Sequence, residues 1–143
     1  MDGSAELFAQ PPDGPWVPLS PTSGSTLAQN PDGSWDYTMP DGATWVFNSA
    51  GQLTSVTSRG GGTVTLSYDG NDVTTATGPN SEALDFSYTG PLITGITSSD
   101  GQSVSYTYNA AGDLSQFTDA SGSVWSYTYG AGNLLTSVQG PGS

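Results

Sequence analysis

With no histidine, cysteine or lysine in the chain, aspartate and glutamate are the only strong candidates for chemistry. Acid-based glycoside hydrolysis needs two carboxylates roughly 5–10 Å apart, one of them with a raised pKa. Asp13, Asp32, Asp41, Asp69, Asp100 and Asp119 fall instead in turn-like stretches, where the side chain caps its own backbone. No Asp-Thr/Ser-Gly triplet marks an aspartic protease. Asp69, Asn71 and Asp72 group three oxygen-bearing side chains around Gly70, but calcium takes about six to eight oxygens, so a tight turn is the simpler reading. Trp35, Trp45 and Trp125 could form a sugar-stacking platform with the tyrosines. They share the apolar parity of their segments, which favours packing. Equivalent aromatic residues are expected two strands apart, about 10 Å, with Leu or Val between them, which argues against a continuous stack. Thr63, Thr65, Ser67, Ser87, Ser103, Ser105, Thr107, Ser126 and Thr128 form an outer hydroxyl parity that reads as an ordinary solvated β surface. No catalytic residue, cofactor-binding residue or metal ligand is assigned, and no enzyme activity or cofactor is expected.

Composition closes other routes. The 143 residues carry 13 acidic groups and a single cation, Arg59, for a net charge of −12. Without His there is no Ser-His-Asp relay, and without Cys or His there is no ordinary zinc or haem site. Lacking lysine, the chain has neither a Schiff base nor a P-loop. One cation cannot neutralise a run of phosphates, which excludes nucleic acid as a partner. No apolar run reaches the roughly 20 residues of a membrane span, and no signal peptide is visible at Met1-Asp2-Gly3-Ser4. Four Trp, seven Tyr and four Phe argue against an acidic disordered tail. A chain of this length can bury about 68–70% of its unfolded surface, enough for a core.

Repeats set the architecture. Ala43–Phe47, Val64–Tyr68, Leu84–Tyr88, Val104–Tyr108 and Trp125–Tyr129 recur at 20–21 residues with apolar first, third and fifth places. That alternation reads as a strand with one buried face, predicting that Val64, Leu66, Leu84, Phe86, Val104, Tyr106, Trp125 and Tyr127 line one side. Leu53–Val56, Val73–Ala76, Leu92–Ile96, Leu114–Phe117 and Leu134–Val138 follow in step. Their apolar residues often stand three apart, which requires either a bulge or burial on both faces. Turn signals separate all of these segments. Each repeat therefore reads as strand–turn–strand–turn, in an all-β fold of tandem antiparallel hairpins. A parallel β-solenoid is the alternative.

Residues 1–40 differ. Most of the ten prolines fall in the first 40 residues, and residues 10–24 read as an extended arm. Ser4–Gln10 is the one short stretch that could be helical. Pro-Asp-Gly at Pro12, Pro31 and Pro40 predicts type I turns with a left-handed glycine, and Trp35–Met39 should pair with Ala43–Phe47. The expected organisation is a Pro-rich arm over 1–31 and a hairpin array over 32–143.

The unit Tyr-x-x-x-Gly-x-Leu, best seen from Tyr106 to Gly122, resembles the YD repeats of the Rhs and teneurin families over about residues 32–140. That resemblance implies hairpins laid side by side in a twisted, curved or spiralling sheet, which in large bacterial members forms a shell around a toxin. The family's Gly-Arg-Leu is here Gly51-Gln-Leu, Gly112-Asp-Leu and Gly132-Asn-Leu, and no Asp-Pro dipeptide exists, so self-cleavage is not carried over.

The leading expectation is a non-enzymatic structural protein. Open sheet edges and the N-terminal arm would join copies of it into an extracellular or cell-surface fibre or wall. A fragment of an Rhs-type toxin-encapsulating shell and a glycan-binding surface module are the alternatives. The expected partners are other copies of the chain and a candidate glycan, with no membrane insertion.

Overall fold

The computed structural model describes residues 5–20 and 24–142; residues 1–4 and 21–23 of the expected arm lie outside the described residues. Strands β1 (Phe8–Ala9) and β2 (Val17–Pro18) form a small sheet. The other twelve are β3 (Thr26–Gln29), β4 (Trp35–Thr38), β5 (Thr44–Phe47), β6 (Leu53–Thr57), β7 (Thr63–Asp69), β8 (Asp72–Thr77), β9 (Ala83–Thr89), β10 (Leu92–Ser98), β11 (Ser103–Tyr108), β12 (Leu114–Thr118), β13 (Val124–Tyr129) and β14 (Leu135–Gln139). They lie in sequence order, β3 to β14, in a 12-stranded sheet that is not closed into a barrel. The ladders are antiparallel, so the solenoid alternative is overturned: Tyr68, Tyr88 and Tyr108 sit on β7, β9 and β11, with β8 and β10 between them. Two compact units can be distinguished, residues 1–67 with 77–80, and 68–76 with 81–143.

Two turn designs occur in the repeats. Between β7 and β8 and between β9 and β10 the loops have two residues, Gly70-Asn71 and Gly90-Pro91. Gly90 has φ 56° and opens its loop, which is the place a type II′ turn reserves for glycine. Pro91 fits the second place because it needs no N–H there. The other turns use a four-residue pattern. At Asn109-Ala-Ala-Gly112, the Gly112 N–H donates to the Asn109 carbonyl and the Asn109 N–H donates to the Asp113 carbonyl. This is a type I turn closed by a left-handed residue, Gly112, with φ 85°. The Pro31 and Pro40 turns share it, with Gly33 and Gly42 at φ 85° and 88°. The Pro12 turn does not: Gly14 is not left-handed, and its N–H reaches back to the Pro11 carbonyl at 3.3 Å.

The three-apart spacing is explained by bulges. The register skips Thr54 between Val46↔Ser55 and Phe47↔Leu53, and likewise skips Thr94, Ser115 and Thr136 in β10, β12 and β14. One extra residue turns an i, i+3 pair onto a single face. In the second unit this gives one apolar side, with Phe86 opposite Ile96, Tyr106 opposite Phe117 and Tyr127 opposite Val138.

The depth of burial differs from expectation. Among the described residues no apolar side chain is fully buried. Leu66, Phe86, Val104, Tyr106, Trp125 and Tyr127 are half-buried, while Val64 and Leu84 are 39% and 43% exposed. The alternation is right, but the apolar side of the second unit is less shielded than a packed core would be. Ser4–Gln10 is not helical where it is described: Phe8–Ala9 is a strand. Within the segment expected as an arm, Thr26–Gln29 is the first strand of the long sheet, opposite β4 in the register Leu27↔Tyr37 and Gln29↔Trp35.

A Cβ at Gly112 would meet nothing within 4 Å, so Gly112→Ala carries only the left-handed backbone cost, about 1–2 kcal/mol. A lowered urea midpoint should report it, with Gly112→Asn closer to the parent. An unchanged midpoint for the alanine variant would refute the turn assignment.

Candidate functional site

Asp32, Asp41, Asp100 and Asp119 are occupied within their own turns. The Asp119 carboxylate accepts from the Ser121 and Ser123 backbone N–H groups at 2.9 and 2.8 Å and from the Ser121 hydroxyl at 2.7 Å. Asp32 accepts from the Ser34 hydroxyl and N–H at 2.6 and 2.9 Å, and Asp100 accepts from the Ser98 hydroxyl and the Gln102 N–H. These bonds, the serine hydroxyl first, hold all three carboxyls below the ordinary 3.8. A general acid needs the opposite shift. Asp69 and Asp72 close the Gly70-Asn71 hairpin as the last residue of β7 and the first of β8. No three acidic side chains converge among the described residues.

Tyrosine supplies the recurring polar contact. Tyr88, Tyr108 and Tyr129 donate their hydroxyls to the carbonyls of Val73, Ile93 and Leu114 at 2.9, 2.7 and 2.9 Å, each reaching back 15 residues into the preceding hairpin. For Tyr108 and Tyr129 the acceptor lies beside a bulge. Pairing of β10 with β11 stops at Gly95↔Ser105, and pairing of β12 with β13 stops at Gln116↔Ser126. The Ile93 and Leu114 carbonyls lie beyond those ends, and the tyrosine replaces the missing ladder bond. The bulged hydroxyls also turn inward: Thr54 and Thr136 donate to the carbonyls of Val46 and Thr128 at 3.1 and 3.0 Å.

A knot that sequence reasoning missed ties the N-terminal segment to the sheet. The Ser25 hydroxyl lies 2.6 and 2.7 Å from the two Glu6 oxygens, and the Tyr37 hydroxyl donates to Oε2 at 2.7 Å. Ser25 is the one fully buried residue among those described, 3% exposed. Donation to Glu6 pushes the Tyr37 phenol pKa up. Phe8 and Trp45 pack edge-on against Tyr37 at 6.0 and 6.3 Å, and Trp16 packs edge-on against Trp35 at 5.3 Å. Trp16 also bridges to Leu27 along the outer side of β3. No fixed spacing links Glu6, Ser25 and Tyr37, so periodicity could not find them; the shared Pro-Asp-Gly turns at Pro31 and Pro40 could have revealed β3.

The aromatic residues do not form one platform. Trp35 and Trp45 meet their neighbours edge-on in the first unit. In the second, Tyr106, Phe117 and Trp125 lie side by side across β11, β12 and β13, with centroids 5.4 and 5.5 Å apart and planes 27° and 32° apart. This corrects the expected separation by Leu or Val, because Phe117 occupies the intervening strand. Two open depressions of about 240 and 280 Å³, one against Leu84, Ile96 and Val104 and the other against Leu92 and Tyr106, gather no charged side chain. The hydroxyl parity is mostly exposed, and some of its members bond to hydroxyls on the neighbouring strand, as in Thr63 with Thr57 at 2.9 Å and Thr107 with Ser115 at 3.1 Å.

Repeats of hairpin, bulge and back-reaching tyrosine coincide with a known sequence family. The RHS Repeat profile matches residues 47–83 and 108–143, just over half of the chain. The chain belongs to the RHS repeat family. Among solved structures it is similar to a chain in the crystal structure of TcdB2-TccC3-Cdc42, with a TM-score of 0.59 and 17% identity, over 94% of this chain and 8% of that one. At that identity the likeness concerns the fold, and this chain spans under a tenth of the other's length. No curated protein sequence matches significantly. RHS repeats are typically found in extracellular or cell-surface proteins. No helix among the described residues is long and apolar enough to cross a membrane.

Tyr108→Phe should lower stability by about 0.5–1.5 kcal/mol, seen as a reduced urea midpoint; Tyr106→Phe, with its ring in the aromatic row, should cost less. Equal losses would dismiss the latch. A carboxyl with a lowered folded pKa stabilises the fold fully above its unfolded pKa and loses that support as pH falls through the folded value. The Asp32, Asp100 and Asp119 turns should therefore weaken below about pH 4. Urea midpoints from pH 6 to pH 2.5 should fall more steeply for the parent than for a triple Asp→Asn variant.

Proposed function

We propose that this protein is a non-catalytic scaffold: a wall segment of an RHS-type sheet whose N-terminal end is closed and whose other end continues by strand pairing. The observation that carries this reading is the repeated joint between hairpins, in which a bulge ends the ladder and the next tyrosine seals the exposed carbonyl. Such a joint makes each hairpin a docking site for the one that follows, as in other nearest-neighbour repeat arrays. The apolar side of the second unit, where Leu84 and Val138 are 43% and 55% exposed, suits the inner lining of a larger enclosure. The likeness to a small part of a much longer chain supports that scale. An extracellular or cell-surface setting belongs to the same proposal.

The fibre reading requires two open edges. Trp16 bridges to Leu27 and β2 (Val17–Pro18) contacts β3 along its outer side in the same chain, and proline there disfavours a further ladder. Head-to-tail addition through that side is therefore disfavoured, and a wall segment replaces a fibre subunit as the preferred reading.

Appending a second copy of residues 119–139 directly after Gln139 tests the array. One more nearest-neighbour joint should raise both the urea midpoint and the m-value. A chain whose midpoint and m-value do not move would show a self-contained module rather than an extendable wall.

A further inference from the structure

Aspartate is followed by glycine at Asp2, Asp13, Asp32, Asp41, Asp69 and Asp100. This dipeptide is the one most open to isoaspartate formation, because glycine has no side chain to shield its backbone nitrogen from the neighbouring carboxyl. Asp13, Asp32 and Asp41 even share one triplet, Pro-Asp-Gly. Asp2 lies outside the described residues. The other five aspartates are all exposed, so access to water does not rank them.

Hydrogen bonding does. The Asp32, Asp41 and Asp100 carboxylates each accept the N–H of the residue two places on, from Ser34, Ala43 and Gln102 at 2.9, 3.0 and 3.2 Å. The glycine N–H groups between them donate to the carbonyls of Asn30, Met39 and Ser98 at 2.9 Å. Attacking nitrogen and target carboxyl are both held. At Asp13 the residue two places on is Pro15, which has no N–H to give. The Asp13 carboxylate accepts no hydrogen bond among the described residues. Gly14 lacks the left-handed backbone of Gly33 and Gly42, and its N–H makes the longer 3.3 Å bond to Pro11.

The product would also fit better there. Isoaspartate adds one carbon to the main chain. At Asp32, Asp41 and Asp100 that carbon would enter turns closed by Asn30, Met39 and Ser98 N–H groups on the Ser34, Ala43 and Gln102 carbonyls, each at 2.8 Å. At Asp69 it would enter the tight hairpin between β7 and β8. At Asp13 it falls in the connection between β1 and β2, outside the long sheet.

We propose that Asp13 is a site of spontaneous modification, converting to isoaspartate through a succinimide, while the turns protect Asp32, Asp41, Asp69 and Asp100. The Gly14 nitrogen attacks Cγ of the protonated Asp13 carboxyl. The N–Cγ bond forms, a Cγ–O bond breaks, and the hydroxyl leaves with the amide proton as water. Water then adds at the α-carbonyl carbon and breaks its bond to nitrogen. The chain is left joined through Cβ and Cγ, with a free α-carboxylate and an unchanged net charge. The step needs water and nothing else. It stands apart from the scaffold reading, since a self-contained module would change at the same residue.

The full chain should be aged at physiological temperature in mildly acidic buffer, folded in one arm and in guanidinium chloride in the other. An isoaspartyl carboxyl methyltransferase with labelled S-adenosylmethionine then marks the new carboxylate. Chymotrypsin, cutting after Phe8, Trp16, Trp35, Tyr37 and Trp45, puts Asp13, Asp32 and Asp41 on separate peptides. In the folded arm the Ala9–Trp16 peptide should carry several-fold more label than the peptides of Asp32 and Asp41. In denaturant the three Pro-Asp-Gly triplets should label alike. Asp13→Glu should clear the label from Ala9–Trp16 while circular dichroism stays β. Equal labelling of the triplets in the folded chain, more label at Asp32 or Asp41, no label at Asp13, or a bias that persists in denaturant would each overturn the assignment.

Discussion

Strand pairing carries a burden here that a packed core carries in most domains. No described apolar side chain is fully buried, so the area term that usually dominates folding is only partly collected. What remains is cross-strand contact along one face and a ladder whose interruptions must each be repaired. Backbone groups left unpaired in a half-dry sheet cost about 1–3 kcal/mol apiece. The back-reaching tyrosines and the self-capping turns meet that demand repeat by repeat. Tyr88, Tyr108 and Tyr129 do so with one geometry.

The same constraint accounts for what was legible in the sequence. Features with local causes could be read: the strand alternation, the left-handed glycines, and the three-apart spacing whose bulges lie at Thr54, Thr94, Ser115 and Thr136. The period revealed the hairpins because each one solves the same local problem. Depth of burial was not legible. A strand such as Leu84–Tyr88 has the same pattern whether its apolar side meets a second layer or nothing. The Glu6–Ser25–Tyr37 knot was also hidden, because it joins residues 19 and 31 positions apart by contacts that occur once. The stack at Phe117 was missed for a smaller reason: the second strands usually place an aliphatic residue there, and this one does not.

Charge distribution bears on the functional reading from the other side. A net charge of −12 with Arg59 as the single cation keeps most of the surface from associating with copies of itself. Many of the carboxylates stand in turns, where Asp32, Asp41, Asp100 and Asp119 cap backbone groups, while Asp36 and Asp85 lie within strands. No catalytic grouping is required to explain where the acidic residues stand.

The tyrosine bonds have a direction. Each hydroxyl closes a hairpin that lies 15 residues earlier in the chain, so a hairpin is finished by material synthesised after it. As the polypeptide leaves the ribosome, each hairpin emerges before the tyrosine that closes it. Every later hairpin then docks on a neighbour already in place and seals it. Assembly can proceed like a zip from one end, without waiting for distant segments, and the array can lengthen over evolution by adding units at its younger end without disturbing those already closed.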